Sequence, residues 1–258
     1  MKVADICQII ENFAALDKQE AYDNSGLQLG DPLMQVTGVL VCLDLSEAVL
    51  DEALAQGCNM IVSHHPLLFH GLKQIIGRSM VERVVIKALQ HKVAIYAGHT
   101  NVDSVRQGVS AKMCEKLGLQ VQGFLAAKTE DAGLGMIGEL PSAMSERDFL
   151  QLAKDAFRCP CLRHSALTGK NIKKVALCGG SGAEFIPLAL AARADAYLTA
   201  DLKYHDFTSD QAALLLIDAG HFETEQYTKE IFYRLLSENN ATFVVRTSQT
   251  EHNPVCYF

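Results

Sequence analysis

Apolar and polar positions along the chain predict strands and helices that alternate. The segment VLVCLDLSEAVLDEALAQGCNMIVSHH, residues 39–65, begins and ends with apolar runs typical of buried strands. Between these runs, an apolar stripe at helical spacing predicts a helix with one buried face. The stripe comprises Val49, Leu50, Ala53 and Leu54. The N-terminal residues MKVADICQIIENFAALDKQE predict an amphipathic helix in the same way. The pattern therefore favours an α/β fold.

The pattern of residues 39–65 occurs a second time in the chain. The segment VALCGGSGAEFIPLALAARADAYLTAD, residues 175–201, aligns with it without a gap. Further along, IYAGHTNVD at 95–103 matches IDAGHFETE at 217–225 in four residue types. Three matching landmarks in the same order indicate an internal duplication rather than a chance match.

The duplication predicts two βαβαβα halves on a mainly parallel or mixed sheet. Each copy closes with a helical pattern, at 109–119 in the first and 225–239 in the second. Between the copies, residues 133–169 predict a strand, a helix and a strand, which we interpret as an inserted subdomain or an edge extension. We accordingly expect three parts: a first half with the N-terminal helix at 1–122, an inserted segment at 123–171 and a second half at 172–258.

Composition and charge narrow the class of protein. Of the 258 residues, 49% are hydrophobic and 21% are charged, which is typical of a globular protein. The net charge of −7 argues against a general nucleic-acid surface, and no segment is apolar for long enough to span a membrane. The eight scattered cysteines are read as reduced thiols, so we expect a cytoplasmic protein.

Histidines and acids follow the predicted strands at several points. His64 and His65 follow the second apolar strand of the first copy, and Asp201 follows its counterpart. Ligands of parallel α/β sheets gather beyond the carboxyl ends of the strands. The glycine-rich CGGSG at 178–182 also lies after a strand, where a tight turn is favoured over a phosphate nest.

The third strand of each copy is followed by a histidine with a carboxylate four residues later. The pairs are His99 with Asp103 and His221 with Glu225. Residues at i and i+4 share one face of a helical turn, so an imidazole and a carboxylate can point at one ion. Such ligands suit Zn, Fe, Mn, Co or Ni. We predict two divalent metal ions per subunit, about 3.5–4 Å apart; the alternative is a structural polar network.

These motifs resemble the signature blocks of the Nif-three-like family, whose members are often named type 2 homologues of GTP cyclohydrolase I. The blocks are YDNSGLQLG, SHHPLLFHG, AGHTNVDS, CGGSG, TADLKYHD, DAGHFETE and NPVCYF, and Tyr22 stands where the family usually has Trp. The resemblance implies two α/β halves, a toroidal homohexamer and a dinuclear metal centre. The metal ligands that it implies are His64, His65, Asp103, His221 and Glu225.

We predict a metal-dependent hydrolase that acts on a nucleotide or a related small phosphorylated substrate. His99 and His205 are the candidate catalytic residues for proton transfer, with His70 as a further candidate. Lys203 and Tyr204 either orient an anionic group or only begin a helix. The alternative function is a non-catalytic metal- or nucleotide-binding protein with a regulatory or scaffold role.

Overall fold

The structure is a computed structural model that describes residues 1–208, 213–239 and 242–258. Its helices and strands alternate along most of the chain. In chain order they are α1 (Val3–Phe13), β1 (Gly26–Leu29), β2 (Gly38–Cys42), α2 (Glu47–Ala55), β3 (Met60–Ser63), α3 (Met80–Gln90), β4 (Ala94–Ala97), α4 (Thr100–Asp103), α5 (Val109–Leu117), β5 (Gln120–Ala127), β6 (Gly133–Ser145), α6 (Glu146–Ala156), β7 (Arg163–His164), β8 (Asn171–Ser181), α7 (Ile186–Ala191), β9 (Ala196–Ala200), β10 (Leu215–Asp218), α8 (His221–Glu225), α9 (Thr228–Glu238) and β11 (Val244–Thr247).

The chain forms two compact units. The first unit comprises Met1–Val102 and Thr228–His252, and the second comprises Asp103–Tyr227 and Asn253–Phe258. Each unit therefore contains two separate stretches of the chain, and each has its own β-sheet. Within the described residues, no helix is both long enough and apolar enough to span a membrane.

The first unit has a sheet with the strand order β1-β4-β3-β2-β11. Strands β2, β3, β4 and β11 are parallel, and β1 is antiparallel to β4 at the edge. Helices α2 and α3 make the crossovers between the parallel strands, which cannot be joined by a short hairpin. Every residue of β2, β3 and β4 is buried, as expected when both faces of a parallel sheet are covered.

The second unit has a mixed sheet with the strand order β5-β6-β8-β9-β10-β7. Strands β8, β9 and β10 are parallel, whereas β5, β6 and β7 each pair with a neighbour in the antiparallel sense. The predicted strand, helix and strand of the insertion correspond to β6, α6 and β7. Because both strands pair within this sheet, the insertion extends the second sheet.

The two sheets confirm the predicted fold class of duplicated α/β halves. Strands β2-β3-β4 and β8-β9-β10 have the same order and direction. Val39 pairs with Met60 in the first sheet, and Val175 pairs with Ala196 in the second. These are equivalent positions of the two sequence copies, so the duplication extends to the register of the strands.

The helix that closes each sequence copy does not belong to the compact unit that contains the strands of that copy. Helix α5 follows the first copy but packs in the core of the second unit, where Met113 and Leu117 join Leu177. Helix α9 follows the second copy but belongs to the first unit and packs on α1, β2 and β11. The chain therefore passes from one compact unit to the other at Asp103, at Thr228 and at Asn253. The domain boundaries after residues 122 and 171 stay a prediction from the sequence.

A buried carboxylate fastens the C-terminal segment of the first unit to α2. Glu52 accepts hydrogen bonds from the hydroxyl of Ser248 at 2.6 Å, the amide of Gln249 at 2.9 Å and the hydroxyl of Thr250 at 2.8 Å. Burial by itself would raise the pKa of Glu52, but these hydrogen bonds outweigh it and lower the pKa from 4.5 to about 2. The ionised carboxylate therefore stabilises the folded state.

Replacement of Glu52 by Gln is expected to lower the free energy of unfolding by about 3 kcal/mol at pH 7, the equivalent of the pKa change. Because the folded-state pKa is depressed, this contribution is complete above pH 4.5 and is lost as the pH falls toward 2. Urea unfolding of the wild type and E52Q at pH 7 and pH 3 should show the difference shrinking by roughly half or more. An equal difference at both pH values would contradict this assignment.

Candidate metal centre

Three histidines lie together at the carboxyl ends of two neighbouring strands of the first unit. His64 and His65 directly follow β3, and His99 follows β4 after one residue. His64 is fully buried, and the other two side chains are partly exposed. One ring nitrogen from each histidine lies within 4.8 Å of the other two. Parallel pairing of β3 with β4 thus brings together residues that are 34 positions apart in the sequence.

His64 and His65 each have Nδ1 engaged by a protein oxygen. The Nδ1 atom of His64 donates to the carbonyl oxygen of Gly98 at 2.8 Å, since a carbonyl can only accept. The Nδ1 atom of His65 lies 2.7 Å from Oδ1 of Asp44, which follows β2. In both rings Nε2 is therefore the nitrogen that could coordinate a metal, an arrangement typical of metal-binding histidines.

His99 is held in the same way by a buried carboxylate. Its Nδ1 atom lies 2.7 Å from Oδ1 of Asp23, whose side chain has no exposed surface. The second oxygen of Asp23 accepts from the amide of Thr100 at 3.0 Å and also from its hydroxyl. Burial would raise the pKa of Asp23, but the hydrogen bonds from His99 and Thr100 hold the pKa well below its usual range. Asp23 is therefore an ionised acceptor that orients the ring of His99.

The second unit contains a fourth histidine with the same type of support. His221 begins α8, and its Nδ1 atom lies 2.6 Å from Oδ2 of Asp201, which follows β9. Its Nε2 atom lies 3.0 Å from Oε2 of Glu225, one helical turn further along. The structure thus confirms that this i, i+4 pair shares one face of a helix.

Two carboxylates of the second unit lie near the same buried thiol. Burial, and next the negative charges of Asp103 and Glu225, raise the pKa of Cys178 above its ordinary value. Asp103 ends the short helix α4, and Glu225 is almost completely buried at the end of α8. Both carboxylates therefore lie close enough to Cys178 to influence its thiol, near the C-terminal end of β8.

Gly180 leaves space for the carboxylate of Glu225. It has φ of +60°, and a Cβ atom at this position would lie 2.2 Å from Oε1 of Glu225 and 3.1 Å from Nε2 of His221. The amide of Gly180 donates to the hydroxyl of Thr224 at 3.1 Å. The sequence predicted a tight turn for CGGSG, whereas the structure continues β8 to Ser181 and uses Gly180 for this close approach.

Several predicted residues lie outside these arrangements. His205 is exposed in a 3₁₀ turn, Tyr204–Thr208, and Tyr204 is 78% exposed. Lys203 and His70 are also exposed. In the described part of the chain, neither His70 nor His205 joins a group of three potential metal ligands. The proton-transfer roles of His99 and His205 and the anion-binding role of Lys203 and Tyr204 stay predictions.

The carboxylates that orient the histidines were not predicted from the sequence. Asp23 and Asp44 were not among the predicted site residues, although each lies within hydrogen-bonding distance of a histidine. For Asp44 a signal existed, because this acid follows the apolar run of β2, as the histidines follow β3. For Asp23 the signal was its position in YDNSGLQLG, one of the blocks that carry the family resemblance.

In each unit, the donor atoms are of kinds that bind divalent transition metals. Imidazole nitrogens and carboxylate oxygens are ligands that Zn, Fe, Mn, Co and Ni accept. The oxygen acceptors that hold Nδ1 of His64, His65, His99 and His221 supply the outer-shell support that such ligands require. The fold and these residues define a mixed α/β protein with a histidine cluster that could hold metal at its strand ends.

The chain belongs to the Duf34/NIF3 (NGG1p interacting factor 3) family, whose model matches residues 1–254. This confirms the resemblance inferred from the sequence motifs. A GTP cyclohydrolase 1 type 2 homolog from Clostridium acetobutylicum is 35% identical over 230 residues, which cover 87% of this chain and 85% of the relative. A protein of the same name from Lactococcus lactis is 33% identical, with 98% of each chain covered.

Solved structures share the fold over nearly the whole chain. A hypothetical protein from Staphylococcus aureus has a TM-score of 0.92 and 26% identity, with coverage of 100% of this chain and 99% of that one. Reduced HcgD from Methanocaldococcus jannaschii has a TM-score of 0.80 and 27% identity, with coverage of 95% and 97%. The protein related to NIF3 from Bacillus cereus, at 23% identity and a TM-score of 0.94, supports the fold alone.

Proposed function

We propose that this protein binds two divalent metal ions and is a metal-dependent hydrolase of a nucleotide or related small phosphorylated substrate. The proposed metal ligands are His64, His65, Asp103, His221 and Glu225. The observation that carries the metal-binding part is the engagement of Nδ1 by an oxygen acceptor in each clustered histidine of the first unit and in His221. This arrangement fixes the orientation of each ring and directs Nε2 toward coordination.

The name of the curated relatives supports a nucleotide as the substrate. They are called homologs of GTP cyclohydrolase 1 type 2, and the chain is similar to them over most of its length. When bound, a pair of divalent cations activates water and polarises the bond that is hydrolysed. We therefore propose hydrolysis either at a purine ring carbon or at a phosphoester.

The chain's own residues would have separate tasks in this reaction. His64, His65 and His221 would present Nε2 as ligands, while Asp103 and Glu225 would supply carboxylate oxygens. His99 lies beside His64 and His65, with ring centroids 5.2 and 5.5 Å away, and its ring is held by Asp23. In this proposal His99 would move a proton through Nε2, and His205 on its exposed turn would transfer a proton on the substrate side.

A non-catalytic metal- or nucleotide-binding role is the second candidate. The observation that favours it is the exposure of His205, because a proton-transfer residue is usually held by its surroundings. In this case the protein would retain metal and bind nucleotide without turnover. The cytoplasmic location and the homohexameric ring implied by the family resemblance are kept as proposals, and light scattering in solution tests the ring.

Metal-loaded protein is expected to hydrolyse at least one of three substrates: GTP, a cyclic dinucleotide or a phosphomonoester. Chelator treatment should abolish the activity, and re-addition of metal should restore it. H205A should keep the wild-type metal content and lose turnover by about 100-fold or more if His205 transfers a proton. Product formation by chromatography and metal content by mass spectrometry check both statements.

The same assay separates the two candidate functions. His164, which is exposed and outside the proposed ligand set, provides the matched control H164A, and its activity should equal that of the wild type. If metal-loaded protein leaves all three substrates intact while binding nucleotide in calorimetry, the hydrolase proposal is wrong and the non-catalytic role gains support.

A further inference from the structure

We propose that Glu251, in the C-terminal segment of the first unit, is a positioning residue for the metal ligand His65. It acts through Asp44, so this inference rests on the proposed role of His65. The family resemblance and the sequence motifs gave Glu251 no function. The proposal follows from a chain of hydrogen bonds that runs from the C-terminal segment to the imidazole of His65.

The carboxylate of Glu251 is buried against the turn that follows β2. Its side chain is only 2% exposed. Its Oε1 atom accepts hydrogen bonds from the amide of Leu43 at 2.6 Å and from the amide of Asp44 at 2.5 Å. Its Oε2 atom pairs with the ammonium of Lys229 at the start of α9. The charge is therefore compensated, and both oxygens are occupied.

The same turn carries the group that orients His65. Oδ1 of Asp44 lies 2.7 Å from Nδ1 of His65. The backbone amide of His65 also donates to the carbonyl of Leu43 at 3.0 Å. Glu251 thus fixes the amides of two successive residues, Leu43 and Asp44. The side chain of the second residue contacts the imidazole of His65. Without this anchor, the turn has two amides to satisfy elsewhere, and the direction of the Asp44 side chain is no longer set.

The contact with Asp44 decides which ring nitrogen of His65 carries the proton. A carboxylate oxygen that accepts from Nδ1 keeps the proton on that atom and leaves the lone pair on Nε2 for a metal. Loss of the anchor should therefore shift the tautomer of His65 in the metal-free protein. It should also weaken metal binding by about 10-fold or more, as removal of an outer-shell partner does.

The test compares Glu251→Met, which removes both acceptor oxygens at nearly constant side-chain length, with Glu52→Met. Glu52 is the matched control, because it also is a buried carboxylate that accepts several hydrogen bonds. Its donors in these bonds belong to the segment 248–250 and not to the turn at Asp44. Side-chain ¹⁵N shifts of the histidines are measured in metal-free protein at one pH. Zinc affinity is then measured by competition with a chromophoric chelator.

The expected result is a shift of the His65 signals toward the Nε2-protonated form and weaker zinc binding in E251M, with neither change in E52M. Equal changes in both variants, or an unchanged His65 tautomer in E251M, would overturn the proposal. If E251M does not fold, Lys229→Met, which removes the cation paired with Glu251, is judged by the same criterion. Because the tautomer is read without metal, it still decides the role of Glu251 even if the wild type binds no zinc.

Discussion

Replacement of His65 by Ala is expected to reduce the metal content of the purified protein by more than 10-fold. His65 lies in the group of three histidines whose ring nitrogens approach within 4.8 Å, and Asp44 holds its ring for coordination through Nε2. Loss of an outer-shell partner alone weakens metal binding by about 10- to 100-fold, so loss of the ligand itself should cost at least as much. Mass spectrometry of the metal and calorimetric titration check this.

The matched control for H65A is H91A in the same unit. His91 is exposed at the C-terminal end of α3 and is not in the proposed ligand set. H91A should retain the metal content and affinity of the wild type. A H65A protein that is folded and binds as much metal as the wild type, with equal affinity, would remove His65 from the ligand set.

Replacement of Gly180 by Ala should damage both the stability of the second unit and its metal binding. The added Cβ would lie 2.2 Å from Oε1 of Glu225, so the carboxylate has to leave its present position beside His221. The left-handed backbone costs a non-glycine residue about 1–2 kcal/mol, and overpacking adds about 1–3 kcal/mol. We expect these losses in urea unfolding, together with about 10- to 100-fold weaker metal binding through the displaced Glu225.

G118A separates the effect of the backbone from that of the displaced carboxylate. Gly118 ends α5 in the same unit and has φ of +66°, but nothing lies within 4 Å of the position of its Cβ. G118A should therefore show the backbone cost of about 1–2 kcal/mol and unchanged metal affinity. If G180A and G118A have equal metal affinity, Glu225 either does not move or is not a ligand.

The strand pattern was predictable because it depends on local periodicity and on the duplication. Apolar runs predicted the buried strands, and equivalent positions of the two copies have the same register, as Val39 with Met60 and Val175 with Ala196 show. The pair His221 and Glu225 was also predictable, since the two residues are one helical turn apart.

The partners of the histidines could not be predicted from local patterns. Asp23 is 76 residues from His99, and Asp44 is 21 residues from His65. Their proximity follows from the order of strands in the first sheet, which periodicity does not specify. The core against which α5 and α9 pack could not be predicted either. An amphipathic pattern shows which face of a helix is buried but not the core that covers this face.

By itself, the sequence determined the α/β class, the duplication, the family and the positions of histidines and acids after the strands, because these depend on spacing along the chain. Only the tertiary structure decided which stretches form each compact unit, which carboxylates orient the rings and why Gly180 has no side chain. The reason is that these features depend on contacts between distant residues, which form only when strands pair and helices pack.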